Sequence, residues 1–276
     1  MFTLVEAISL AGDRAKQNDD TAGLAAGRAW VIDGATDLHD KPLTGWASDV
    51  SWVAHCANRE LFKASTLPLR DAIRAASVGA LQEFNRIAGP LPDERWKRPI
   101  GSMLMAQETA DGIEGIDLGD CRVFALGADG ASFVAGAHED AADDESALAA
   151  KQTDGEKPLL QRTNTIQMLR RMRDKQNGGG GAWTFSLDAA CADHARVWAF
   201  VLKRPAHILL MTDGLASLTD RYGAYTPGAL VQAALDKGLQ ELGRELRAIE
   251  NADQGGSQHP RFKKSDDATG LLIRLT

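Results

Sequence analysis

The sequence predicts an α+β fold with mainly antiparallel sheets, and three observations carry that reading. Strand-like runs come in groups, interrupted by a neighbouring pair of helical stretches instead of alternating with helices one by one. Helical spacing of apolar residues is confined to a few long segments. Short acidic or Asp-Gly clusters punctuate the apolar runs: Asn18-Asp19-Asp20, Asp33-Gly34, Gly119-Asp120, Asp213-Gly214 and Asp266-Asp267.

In chain order, Phe2 to Leu10 reads as a strand, followed by a polar loop with Gly12-Asp13-Arg14 and Asn18-Asp19-Asp20. Arg28 to Ile32 reads as a second strand that delivers Asp33. From Thr44 to about Ala64, Trp46, Val50, Val53, Ala57 and Leu61 recur at three and four and predict a helix. A second helix is expected over Leu69 to Ile87, with Ile73, Ala76, Ala80, Phe84 and Ile87 on one face; the pair is expected to pack as a layer on a sheet. A meander follows: Gly101–Glu108, Ile113–Leu118, Arg122–Leu126 and Ala131–Val134, with turns at Asp111-Gly112 and Asp129-Gly130.

From 137 to 181 the chain changes character. An acidic, Ala-rich run leads to a basic helix around Pro158 to Lys175, then to four glycines, Gly178 to Gly181. No Lys-Ser or Lys-Thr follows them, so they read as a flexible loop and not as a phosphate-binding P-loop, and the acidic run before them reads as a mobile surface excursion. His207 to Met211 is a strand, Thr226-Pro227 a helix start with proline at the first helical position, and the apolar series Leu230 to Ile249 the face of that helix. A polar loop over 251–265 leads to the terminal strand around Leu271-Leu272-Ile273.

Composition limits the function. Of 276 residues 44% are hydrophobic, enough for a substantial core, and the net charge of -7 argues against general binding to nucleic acid or anionic membrane. No apolar run approaches the roughly 20 residues of a membrane span. The N-terminal residues form no signal-peptide core, so the cytoplasm is the expected compartment. Cys56, Cys121 and Cys191 show no CxxC spacing and read as reduced thiols.

The acidic clusters carry the chemistry. Asp33 and Asp213 end their strands and Asp266 begins one, so a last strand antiparallel to the others brings all three to one edge. Hard divalent cations take oxygen ligands, and carboxylates at one sheet rim make such a site. Asp-Gly is also a common turn dipeptide. Spacing alone leaves both readings open.

The order of the clusters resembles the metal-dependent serine/threonine protein phosphatases of the type-2C family, over nearly the whole chain. Gly12-Asp13-Arg14 through Asn18-Asp19-Asp20 looks like the family's opening motif, Val31-Ile32-Asp33-Gly34 its strand-Asp-Gly, and Gly101-Ser102 the start of its meander. Leu118-Gly119-Asp120-Cys121-Arg122 resembles its Gly-Asp-Ser-Arg, Thr212-Asp213-Gly214 its Ser-Asp-Gly, and Asp266-Asp267-Ala268-Thr269 its closing strand. The resemblance implies one domain over 1–276 with a flap at 137–181. It also implies a central antiparallel β-sandwich flanked by helix pairs, with the metal site at one end of the sandwich.

It further implies two Mn²⁺ or Mg²⁺ ions, with a third, weaker one as in bacterial relatives. Asp33 would bridge the two, the Gly34 carbonyl would ligate one, and Asp213 and Asp266 would hold the other. Asp20, with Asp19, would anchor metal-bound water, Asp120 would serve the third ion, and Arg14 would grip the substrate phosphate. Water activated between two ions then hydrolyses phosphoserine or phosphothreonine on a protein partner. Two departures stand out: the loop after Asp33-Gly34 lacks the family's histidine, with His39 nearby reading as a surface residue, and Arg14 lies one residue further from Asp20. A phosphohydrolase for small phosphoesters and a catalytically weak module that binds a phosphorylated partner are the alternatives.

Overall fold

The structure is a computed structural model that describes residues 1–25, 27–137, 146–150, 159–178, 180–253 and 255–276. The strands are β1 (Phe2–Leu10), β2 (Thr21–Ala25), β3 (Arg28–Gly34), β4 (Ile100–Glu108), β5 (Gly112–Leu118), β6 (Arg122–Leu126), β7 (Ser132–Gly136), β8 (Phe185–Ser186), β9 (Arg196–Val201), β10 (Ala206–Met211) and β11 (Ala268–Leu275). The helices are α1 (Asp49–Lys63), α2 (Leu69–Ala88), α3 (Thr163–Lys175), α4 (Asp213–Asp220), α5 (Pro227–Lys237) and α6 (Leu239–Ala252). One sheet has the order β1-β11-β10-β6-β7; the other has β2-β3-β4-β5-β9, with β8 beside β4. Every pairing between these strands is antiparallel.

Strand alternation sorts the core into three layers. On β3, Ala29 and Val31 face the interior between the sheets, where they meet Val123, Ile208, Leu210 and Ile273. Trp30 and Ile32 point the other way, against Val53, Ala57 and Phe84 of α1 and α2. On the second sheet Phe124, Leu209 and Leu272 face outward onto Leu215, Leu230 and Leu242 of α4, α5 and α6. The result is the four-layer order helix pair, sheet, sheet, helices that was expected.

The differences from expectation have local causes. Helix α1 starts at Asp49, not Thr44, because the Ser48 side chain caps it and accepts the Ser51 N–H. The helix expected from Thr226 onward begins as foreseen with Pro227, but Gly238 at φ +83° ends it and α6 starts anew. Asp213 does not end a strand: it opens the short helix α4, which the sequence reading missed along with β2, β8 and β9. Within the insert, residues 138–145, 151–158 and 179 lie outside the described residues, so much of the expectation of mobility falls there. Its described part includes α3, which is fastened by arginines: Arg162 donates to the Phe262 carbonyl (2.9 Å), Arg170 to that of Leu38 (2.7 Å) and Arg173 to that of Thr36 (3.2 Å). Among the described residues no helix is long and apolar enough to cross a membrane.

Candidate metal centre

Both sheets end at the same rim, and there the predicted carboxylates meet. Asp33 lies opposite Ser102 in the β3–β4 ladder, and Gly34 opposite Gly101. In the other sheet β10 runs antiparallel to β11, so Asp213 just past β10 comes level with Asp266 just before β11. The glycines after the two aspartates are not turn residues, since neither has positive φ. They are required by close approach. A Cβ on Gly34 would sit 2.7 Å from the Asp19 carbonyl oxygen and 2.8 Å from that of Val50; on Gly214 it would overlap the Asp267 carbonyl. The plain-turn reading of these Asp-Gly pairs therefore fails.

Asp33 and Asp213 are within hydrogen-bonding reach of each other. Burial comes first in raising both carboxyls well above the usual range; the charges of Asp20, Asp120 and Asp266 add to it at Asp33, where the hydrogen bond with Asp213 opposes, and those of Asp33, Asp266 and Asp120 add to it at Asp213. Asp20 is buried and raised likewise, chiefly by desolvation, although it accepts the Thr212 hydroxyl at 2.7 Å. Asp19 is pushed up to about 6, again mainly by burial, with the Ser48 side chain opposing. Asp120 accepts the Ser102 hydroxyl at 2.5 Å, which ties it to the residue facing Asp33. Asp266 goes the other way: burial raises it, but the Lys263 ammonium 3.0 Å away outweighs that and holds it below the usual range.

Asp267 plays a different part. Its Oδ1 accepts the Gly12 N–H at 2.7 Å and its Oδ2 the Asp19 N–H at 2.6 Å, so it stitches the loop that carries Asp19 and Asp20 to the terminal strand. Arg14, in the same loop, is exposed and has no hydrogen bond or ion pair among the described residues.

Lys263 at this centre escaped the sequence reading, and Thr212 and Ser102 were read there only as motif positions, without a role. Thr212 orients Asp20 and also accepts the Thr269 N–H at 3.0 Å. Helix α3 roofs the centre over a cavity of 180 Å³, lined by Leu38, Leu169, Met172, Phe262, Lys263 and Asp266 among others. Arg173 on its wall is pushed down to about 10 by burial, with Asp37 opposing.

His39 is not a surface residue. It is half-buried, its Nδ1 lies 2.9 Å from the Lys41 carbonyl, and its Nε2 lies 3.5 Å from Asp49 Oδ2 and 4.0 Å from Asp37 Oδ1. A carbonyl only accepts, so Nδ1 carries a proton. Asp37, His39 and Asp49 bring ligand atoms within 4.8 Å of one another. Asp49, however, already accepts the N–H groups of Leu43 and Thr44 and the Thr44 hydroxyl, while Asp37 accepts the Asp49 N–H. That group pins the loop after Gly34 onto α1. Cys121, a conceivable nucleophile at the rim, is buried and held a thiol by desolvation and the neighbouring Asp33. All three cysteines are free and buried.

No family model matches the sequence, and no curated protein matches it. Solved structures do match. The serine/threonine phosphatase PstP/Ppp of Mycobacterium tuberculosis is 13% identical, with 100% of this chain and 98% of that chain covered, at a TM-score of 0.59. The phosphatase MsPP of Mycobacterium smegmatis, in complex with cacodylate, is 16% identical over 99% of this chain and 100% of that chain, at 0.55. The fold is that of the PPM serine/threonine phosphatases. The catalytic domain of PstP in complex with two manganese ions is likewise similar, at 15% identity over 99% and 97% of the two chains and a TM-score of 0.55.

Divalent cations fit the donor set found in this chain. Several carboxylates converge with few donors between them, and two, Asp33 and Asp213, are in contact, an arrangement that a dication relieves. All the candidate ligands are oxygens, which suits Mg²⁺ and Mn²⁺.

Proposed function

We propose that this chain is a metal-dependent phosphatase that hydrolyses phosphoserine and phosphothreonine on proteins. The observation that supports it most is the carboxylate contact of Asp33 with Asp213, ringed by Asp20, Asp120 and Asp266 at the shared rim of a PPM-type sandwich. In this reading Asp33, the Gly34 carbonyl, Asp213 and Asp266 hold two Mn²⁺ or Mg²⁺ ions, Asp19 and Asp20 hold ordered water, and Asp120 serves a third ion. Bound divalent ions supply Lewis acidity toward the phosphoryl oxygens and a water of lowered pKa.

The chain's own residues do the positioning. Thr212 and Asn18 aim Asp20: the threonine hydroxyl donates to its carboxylate and its N–H donates to Asn18 Oδ1 at 2.7 Å. Asp267 holds the strand-to-loop junction, and with it Gly12 and Asp19, in place. Arg14, exposed and unpaired among the described residues, is placed in this reading to fork onto a phosphate, for which a guanidinium is suited. The cavity beside α3, which reaches Lys263 and Asp266, leaves room for the substrate's own side chains.

The domain is read as a single unit over 1–276 with the 137–181 segment as its flap, working in the cytoplasm on phosphoprotein signals. The test is a panel of phosphopeptides and small phosphoesters assayed with Mn²⁺, with Mg²⁺ and after exhaustive chelation. Phosphopeptide turnover that needs Mn²⁺ or Mg²⁺ is expected. Undiminished turnover in metal-stripped protein would defeat the reading, and turnover of small phosphoesters alone would move the substrate class to the alternative.

A further inference from the structure

Lys263 is a cation in a place where two divalent ions call only for oxygen. Its ammonium lies 3.0 Å from Asp266 Oδ1, and its side chain keeps 37% of its surface open. It lines the cavity beneath α3 and also the adjoining hollow formed by Asp213, Ser217 and Arg221. The charges of Asp33 and Asp213 bear on it as well as that of Asp266. The same Asp266 Oδ1 also accepts the Asp267 N–H at 2.9 Å, so that oxygen is doubly engaged before any metal arrives.

A clip for the loop is not needed from this lysine. Arg261 ties the loop to Asp253 at 2.9 Å, Arg162 holds the Phe262 carbonyl at 2.9 Å, and Arg247 holds the Asp266 carbonyl at 2.7 Å. What the ammonium does instead is occupy a carboxylate that the metal reading assigns to an ion. An incoming dication must displace it from Oδ1, or settle on Oδ2 with a positive charge at contact distance. Asp33 carries no ammonium partner among the described residues.

We propose that Lys263 is an internal cation competing for Asp266, so that this chain loads its two divalent ions unequally. The ion held by Asp33 and the Gly34 carbonyl binds first and tightly; the one that needs Asp213 and Asp266 binds at least tenfold more weakly, once the ammonium has swung away. This rests on the metal reading above, but it fails separately from it.

The experiment is a Mn²⁺ titration of the full chain, counting free Mn²⁺ by electron paramagnetic resonance, with Lys263→Met and Lys263→Arg alongside. Wild type is expected to show one tight and one weak class. Lys263→Met should tighten the weak class by about tenfold or more, and Lys263→Arg should keep the two classes apart. Identical isotherms for wild type and Lys263→Met, or two equal sites in wild type, would overturn the proposal while leaving the phosphatase reading intact; no Mn²⁺ binding at all would remove both. A second measurement uses wild type alone, in case the variants fold poorly. Amine-selective acetylation read by mass spectrometry should label Lys263 faster at Mn²⁺ concentrations that fill the weak class, and not at those that fill only the tight one. A rate unchanged by Mn²⁺ at any concentration counts against displacement.

Discussion

Asp253 and Asp33 are the same side chain in opposite surroundings. Asp253 is buried, yet it accepts the N–H groups of Ser257 (2.8 Å), Gln258 (3.2 Å) and His259 (3.0 Å) and pairs with Arg261 at 2.9 Å. Burial alone raises its carboxyl, but those donors outweigh it and hold the group well below its usual range. Asp33 is surrounded by the carboxylates of Asp20, Asp120, Asp213 and Asp266, and its carboxyl is raised. The difference separates a structural aspartate from a ligand. Where donors saturate the oxygens, nothing further is wanted; where acceptors face acceptors, a cation is.

The largest expected effect breaks the comparison at its charged end. Asp33→Asn should lower Mn²⁺-dependent kcat on an aryl phosphate on the order of a thousandfold, through lost charge toward the ions. With chelator present the same variant should melt higher than wild type, because a like-charge contact has gone. Asp253→Asn should leave kcat alone. A panel in which Asp33→Asn keeps wild-type turnover removes the shared site from the account.

The structural end should respond in stability. Asp253→Ala strands several amides and the Arg261 guanidinium in a buried place, at about 3 kcal/mol. Urea denaturation of the metal-free protein measures it, and a loss under about 0.5 kcal/mol would mean water replaces the carboxylate at little cost.

The two groups should also oppose each other in pH dependence. Asp19, Asp20, Asp33 and Asp213 have folded values above the unfolded ~3.9. The native state therefore binds more protons than the unfolded chain, and the stability these groups contribute is complete below about pH 4 and lost as pH rises through their folded values, about 6 for Asp19. Asp253 acts in the reverse sense: its contribution is present above ~3.9 and lost as pH falls. Melting temperature followed from pH 4 to 8 should therefore fall toward high pH in chelator and fall much less in Mn²⁺. Parallel curves in the two buffers would show that the carboxylates of the rim are not relieved by the ion.

Asp267→Asn probes a residue between the extremes. An amide has one acceptor oxygen for two backbone N–H groups, so either Gly12 or Asp19 would face an NH₂. The expected loss is about 1–2 kcal/mol of stability, with kcat within a few-fold. A substitution that is silent in both would assign the stitch to the surrounding backbone.

Much of this arrangement was legible from short-range pattern. Asp33-Gly34, Asp213-Gly214 and Asp266-Asp267 stood out because each adjoins an apolar run, and the antiparallel return of β11 beside β10 brought two of them level as expected. What stayed hidden was set by contacts distant in sequence or by single backbone angles. Lys263 sits in an irregular loop whose course is decided by Arg261, Arg162 and Arg247, none of which announces itself in a motif. Thr212 reads as a β-branched residue ending a strand until Asp20, far away in the chain, closes on it. One glycine, Gly238, divides a continuous apolar face into two helices. His39 looked peripheral because Asp49, ten residues on, had no visible reason to turn back toward it.

The smallest effect belongs to Arg14, and it sharpens the comparison from outside. Its guanidinium is exposed and bonded to nothing among the described residues, so neither end of the Asp253–Asp33 contrast depends on it for folding. Arg14→Ala should leave melting temperature and Mn²⁺ affinity unchanged, since surface substitutions of this kind stay within about 0.5 kcal/mol. If the side chain meets the phosphate, KM should rise about tenfold, matching the ~1.5 kcal/mol of a hydrogen bond to a charged group. A matching fall in kcat would place the contact in the transition state, and Arg14→Lys should restore part of the loss as a point charge without the fork. Unchanged KM and kcat would shift the phosphate-binding role to the cations that line the cavity beside the centre, Arg173 and Lys263, and leave the aspartate centre as it stands.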